Sequence, residues 1–314
     1  MTQRLIWAVM ACAVVHAGAA LPAQQVFRTG SDVVRVFVTV SDRDGRLVTT
    51  LGRADFAIRD EGRPQPLSQF DNSPQPIRLI VMLDVSGSME GNLGLLRDAS
   101  AELFKRLLPG DVARVGSFGD EVRISPAFTN NAGELLAALP AAIHPNALTP
   151  LWRALDDAVG AFGGGNDTRK VILVLSDGKD SGAMNFRQKP SSQADVIDRA
   201  RLEDVMIYAI GLRSRTRPAQ PGIGPGGLQG MLLDNLPDPG LARVAEETGG
   251  GYTEIRFGQD LAAAFAAVAD ELHTQYLLAF APPKRDGKVH KIDVKVEKPG
   301  LKPRARRSYV APRQ

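Results

Sequence analysis

Asp84, Ser86 and Ser88 stand at alternate positions where an apolar run, Ile77 to Val85, comes to an end. Such a run reads as a buried strand. Its last residues and the turn after it can bring alternate side-chain oxygens to one point above a sheet edge. One carboxylate and two hydroxyls suit a small hard cation, which takes near-octahedral oxygen ligands and keeps part of its water. So little negative charge would leave a bound divalent ion electrophilic and open to an outside carboxylate. Binding is the chemistry this set suits before catalysis. Turn formation is the competing use, because Ser and Asp side chains also bond nearby backbone N–H groups.

Two later segments offer oxygens of the same kind. Thr149-Pro150-Leu151 opens an expected helix, and Ser176-Asp177-Gly178 follows the apolar strand Val171 to Leu175. Thr149 also fits a helix N-cap, with Pro150 at the first helical position. Short polar motifs recur by chance, but three in order at strand ends and a helix start are specific. Together they resemble the metal-ion-dependent adhesion site of von Willebrand factor type A domains. The stretch from about Ile77 to His273 resembles that domain as a whole. The resemblance implies Mg²⁺ (or Mn²⁺) held by Ser86, Ser88 and Thr149, with Asp84 and Asp177 acting directly or through water. It also implies a protein partner whose Asp or Glu completes the coordination. Many members carry glycines before the threonine, whereas this chain has Asn146-Ala147-Leu148, which implies a stiffer loop.

The elements that must position these residues follow from periodicity. Val34, Val36, Val38 and Val40 alternate with Arg35, Phe37 and Thr39, the mark of a half-buried strand. Phe56-Ala57-Ile58 begins a second short strand. From Ile77 the pattern switches to strands alternating with helices. Helices are expected at Leu93–Leu108, around Glu134–Ile143, and at Pro150–Phe162, Ala194–Leu202, Gly240–Thr248 and Gln259–His273. Strands are expected at Val112–Phe118, Val122–Ile124, Lys170–Leu175, Met206–Gly211 and Tyr252–Ile255. Near-continuous apolar strands such as Val171 to Leu175 belong in a sheet covered on both faces. The fold class is α/β, a doubly wound, mostly parallel sheet whose ligands bind at the carboxyl ends of strands. After His273 strand text returns: Tyr276 to Phe280, an alternating run through Ile292, Val294 and Val296, and a last strand near Arg307 to Val310. The strands at either end are too few to hold a sheet alone. They are expected to pair into a small β-sandwich with the α/β unit inserted between them. The implied domains are a leader at 1–23, strands at 24–74, the type A domain at 75–274 and strands at 275–314.

Composition narrows the function classes. Arg4, the apolar stretch Leu5 to Ala20 and small residues up to Ala23 read as a secretory leader, cut after Ala23. The apolar stretch is short for a membrane span, so the mature chain is expected to carry none and to work in the periplasm or outside the cell. The single cysteine, Cys12, lies in the leader. Apolar residues continue past it, which favours cleavage over lipid anchoring. A formal charge of +3, with Arg304, Arg306 and Arg307 lacking interleaved aromatics, argues against nucleic acid. His16, His144, His273 and His290 form no spaced pair for zinc. Pro221 to Gly227 is glycine-rich but lacks a P-loop lysine. No Gly-x-Ser-x-Gly elbow frames Ser86 or Ser88. A non-enzymatic, metal-dependent protein-binding module is therefore the expected function. The alternatives are a metal-assisted hydrolase, with Glu90, Asp120, Glu121 or Asp180 as base, and a purely structural interaction domain.

Overall fold

The computed structural model describes residues 33–164, 168–177, 180–181, 190–213, 238–256 and 260–313. The expected leader with Cys12 and His16, Gly178 of the aspartate loop and the run Pro221 to Gly227 lie outside the described residues.

Valine alternation builds β1 (Val34–Ser41), with Val34, Val36, Val38 and Val40 buried. Three short strands follow: β2 (Phe56–Asp60), β3 (Arg63–Gln65) and β4 (Gln69–Asp71). The α/β section then runs β5 (Ile77–Asp84), α1 (Leu93–Lys105), β6 (Val112–Phe118), β7 (Val122–Ile124), α2 (Ala132–Ala137) and α3 (Leu151–Gly160). It continues with β8 (Arg169–Ser176), α4 (Gln193–Glu203), β9 (Val205–Leu212), α5 (Pro239–Thr248), β10 (Tyr252–Ile255) and α6 (Leu261–Leu272). Four strands close the chain: β11 (Tyr276–Phe280), β12 (Val289–Val296), β13 (Lys302–Arg304) and β14 (Ser308–Val310).

The central sheet has the order β10-β9-β8-β5-β6-β7 and is parallel except for β7. Residues of β5 alternate between two cores. Leu79, Val81 and Leu83 pack with Leu96 and Leu103 of α1 and Phe265 and Leu272 of α6. Ile80 and Met82 face Trp152 and Leu155 of α3, with Val196 of α4 and Leu241 of α5 in the same cluster. Burial on both faces explains why these strands read as unbroken apolar runs.

The outer strands form two four-stranded antiparallel sheets, β13-β1-β11-β4 and β14-β12-β2-β3. In one, Val36 lies opposite Leu278; in the other, Ile58 lies opposite Val294. Each sheet therefore takes strands from both ends of the chain, and a third core gathers Val36, Val38, Phe56, Ile58, Tyr276, Phe280 and Tyr309. A polar joint connects this sandwich to the α/β layer. Glu271 on α6 accepts from Tyr208 of β9, from Thr39 of β1 (2.8 Å) and from Arg304 of β13. Gln275 donates to Thr39 (2.6 Å) and Tyr208 (3.0 Å), while Arg169 donates to Gln275 and to the Leu272 carbonyl (2.9 Å).

Two details differ from the sequence reading. The helix expected around Glu134–Ile143 is Ala132–Ala137, capped by Asn131 and unable to pass Pro140. The strands β3, β4 and β13 carry no apolar period and were not foreseen. Among the described residues no helix is long and apolar enough to cross a membrane.

Candidate metal site

Parallel pairing of β5 with β8 sets Leu83 beside Leu175, so Asp84 and Asp177 emerge at neighbouring strand ends. Both side chains are buried. After Asp84 the chain enters a single 3₁₀ turn, Gly87–Met89, with Ser86 at its N-cap position. One oxygen of Asp84 accepts from the Ser86 N–H (2.9 Å), and the other accepts from Ser176 Oγ (2.6 Å). Ser88 Oγ lies 3.0 Å from Ser86 Oγ and donates to Asp177 Oδ1 at 2.6 Å. Asp84, Ser86, Ser88 and Asp177 thus form one hydrogen-bonded group. The bond from Ser86 N–H is the turn chemistry that was the competing reading, and it coexists with the convergence of oxygens.

Thr149 is brought alongside by its backbone. Its N–H donates to Ser181 Oγ and its carbonyl accepts from the Ser181 N–H, both at 3.0 Å. The His144 N–H donates to the Val85 carbonyl (2.9 Å), holding the threonine loop against the serine turn. Thr149 makes no hydrogen bond to the Asp84–Asp177 group among the described residues. Nor is it a helix cap. Pro150 occupies the N-cap position of α3 without a side-chain bond, and Asp180 accepts from the Trp152 N–H (3.3 Å). Asp180 N–H in turn donates to Asp238 Oδ2 (3.1 Å), tying this loop to the start of α5.

Gly87 lets the serine turn and the threonine loop pass closely. A Cβ at this position would lie 2.0 Å from the Pro145 carbonyl oxygen, a backbone atom that cannot swing aside. Gly87→Ala is therefore expected to push the threonine loop off the serine turn. Calorimetric Mg²⁺ titration should show affinity lowered by about tenfold or more, the equivalent of 1.4 kcal/mol. Unchanged affinity would mean that the loop plays no part in the site.

The electrostatics leave a charge deficit. Burial pushes the Asp84 carboxyl up despite the bonds from Ser176 and Ser86. Burial also raises Asp177 to about 7, with the Asp84 charge adding to it and the Ser88 bond opposing it. Asp177 Oδ2 is buried with no hydrogen-bond partner. Two buried carboxylates, an orphaned oxygen and adjacent hydroxyls fit an oxygen-coordinated divalent ion. Among the described residues no cluster of three His, Cys, Asp or Glu side chains could hold a metal, so the hydroxyls must supply part of any coordination here. Three of the four alternative bases are engaged elsewhere, Glu121 with Arg123 (2.9 Å), Asp120 with His144 (3.8 Å) and Asp180 as above, while the Glu90 side chain makes no hydrogen bond or ion pair among the described residues.

The sequence reading missed Ser176, Gly87 and Ser181. Ser176 adjoins Asp177 in the sequence, yet its bond to Asp84 depends on the strand pairing. No curated protein matches the chain. Among solved structures, a von Willebrand factor type A protein from Catenulispora acidiphila is 12% identical, with a TM-score of 0.47 over 90% of this chain and 75% of that one. The ArnB paralog VWA2 from Sulfolobus acidocaldarius is 15% identical, with a TM-score of 0.45 over 90% and 76%. An aerotolerance-related membrane protein from Bacteroides fragilis is 15% identical, with a TM-score of 0.45 over 62% and 98%. Residues 79–179, which hold most of β5, the serine turn, Thr149 and Asp177, match the family model of the von Willebrand factor type A domain.

Proposed function

We propose that this chain is an exported, metal-dependent protein-binding module, non-enzymatic, which captures an acidic residue of its partner at the Asp84–Asp177 site. Type A domains commonly mediate protein interactions or adhesion. The observation that carries the metal-dependent reading is the pair of buried carboxylates with an orphaned Asp177 oxygen and no cation beside them among the described residues. Ser86, Ser88 and Thr149 would hold Mg²⁺ (or Mn²⁺), with Asp84 and Asp177 binding directly or through water. The bound ion would supply a positive, coordinatively open centre for a partner's Asp or Glu. The chain's own residues fix the rest. Ser176 and the Ser86 N–H orient Asp84, Ser88 orients Asp177, and Ser181 holds the threonine loop in place. A charge-assisted contact in a partly dry site is the kind that dominates an interface. Export rests on the leader read in residues 1–23.

Calorimetric titration of residues 24–314 with Mg²⁺ and Mn²⁺ tests this reading. A one-site isotherm is expected. Asp84→Ala should weaken it by more than about 100-fold and Thr149→Ala by less, because only the aspartate removes a formal charge along with an oxygen. Equal losses in the two variants, or no saturable heat in a folded protein, would overturn the assignment.

A further inference from the structure

At the opposite end of the same strands lies a second charge imbalance, of the other sign. Arg78 is on β5 and Arg114 on β6, and the parallel register sets Ile80 beside Arg114. Alternation therefore puts both arginines on the α3 face of the sheet, one diagonal step apart, near the strand starts. Both are half-buried. The Arg78 guanidinium carbon sits 4.1 Å from the centroid of Phe128, and that of Arg114 sits 5.3 Å from the same ring. Phe162, buried and stacked on Phe128 at 5.7 Å, completes an aromatic floor.

Neither arginine has an ion pair among the described residues. Arg114 donates to the Ala161 carbonyl (2.8 Å) at the end of α3 and to the Ser125 carbonyl. Part of its role is thus to cap a helix C-terminus, where a cation is favoured. That accounts for two of its five N–H donors. The Arg78 side chain makes no hydrogen bond among the described residues and lies over the Phe128 and Phe162 rings, with Lys170 beside it on the neighbouring strand. Several other half-buried arginines meet carboxylates (Arg201 with Asp198 and Glu247, Arg304 with Glu271, Arg306 with Asp204), whereas Arg97 and Arg169 rest on neutral oxygens. Two like charges sharing one ring in partly dry surroundings repel unless an anion joins them. Burial and the neighbouring Arg78 charge lower the Arg114 pKa, as expected for cations lacking a counter-charge. Guanidinium forks match the paired oxygens of phosphate and carboxylate, and stacking on Phe128 leaves the Arg78 edge and the remaining Arg114 donors to present them.

We propose that Arg78 and Arg114, backed by Phe128 and Phe162, form an oxyanion-binding site for a phosphate or carboxylate group, at the end of the sheet opposite the metal motif. The site is independent of the metal reading.

The test uses residues 24–314 in buffer cleared of divalent ions by a chelating resin. Melting is followed against sodium phosphate, sodium acetate and sodium chloride at matched ionic strength. Phosphate, acetate or both should raise the melting temperature saturably above the chloride control, and the pattern identifies which oxyanion is taken. In Arg78→Gln the apparent affinity should fall at least about tenfold, since one of two charge-assisted contacts is lost. Arg78→Lys, which keeps the charge without the fork, should fall between the two. Asp84→Asn should leave the response intact. In chloride, Arg78→Gln should melt at or above the parent, because a repelling charge has gone. Equal responses to all three salts, an unaltered response in Arg78→Gln, or a loss confined to its melting temperature in chloride would overturn the site.

Discussion

Freed of divalent cations at pH 7.5, an Asp177→Asn protein is expected to melt above the parent, and Mg²⁺ is expected to reverse that order. Asp177 in the folded chain titrates at about 7 instead of 3.8, chiefly because it is buried, then because Asp84 lies beside it, with the Ser88 bond pulling the other way. The folded-state pKa is the higher one. The associated stability is therefore fully present below pH 3.8 and is lost as pH rises through about 7. Raising a carboxyl from 3.8 to about 7 corresponds to a penalty of about 4 kcal/mol once it is ionised. Each kcal/mol moves the melting temperature by about 2–4 °C in a chain of this size. Asparagine removes the charge while its Oδ1 still accepts from Ser88. The metal-free parent should therefore lose stability between about pH 4 and 8, and the variant should stay nearly flat. With Mg²⁺ present at pH 7.5 the parent should gain and the variant should not. A variant that melts below the parent without metal would sink this account of the buried pair.

The second large effect is expected at the joint between sandwich and α/β layer. Glu271→Ala should cost about 2–3 kcal/mol, because it removes the shared acceptor of a half-buried group and leaves its charged and hydroxyl donors without it. Glu271 accepts from Tyr208, Thr39 and Arg304. Burial alone would lower the Arg304 pKa, but Glu271 and Tyr208 together outweigh it and raise the pKa. Burial and the Glu271 charge push the Tyr208 phenol up, which keeps it protonated and donating. Urea denaturation at pH 7 measures the loss. A change below about 1 kcal/mol would place Glu271 among ordinary surface ion pairs.

How much of this was legible depended on the length scale of each signal. The valines of β1 and the apolar run of β5 announced themselves because burial on one face or on both leaves a period in the sequence. The strands β3 and β13 left none. Each is three residues long, contains a proline (Pro64, Pro303) and lies at a sheet edge, where a missing donor does no harm. Asp84, Ser86, Ser88 and Asp177 could be named as a group because the oxygens sit at strand ends in fixed spacing. What holds them could not be read. Ser176 reaches Asp84 only through the β5–β8 register, and Gly87 matters only because Pro145 passes over it. Thr149 looked like a helix cap, yet Asp180 from another loop bonds to the first turn of α3 instead. Contacts between loops distant in the chain have no local signature.

The interleaving of the two chain ends also dictates an order of folding. Val38 pairs with Tyr276, so β1 has no neighbour on that side until residue 276 has been made. At about 5–20 residues per second, synthesis leaves the valine strand waiting on the order of 10–50 s. During that interval its apolar face and open backbone edge are exposed to pairing with other nascent chains. The α/β layer can assemble first from nearer contacts, and the sandwich closes behind it. Refolding from denaturant should therefore be slow in its last step, with that step reporting on β1 and β11, because contacts so far apart in sequence form late.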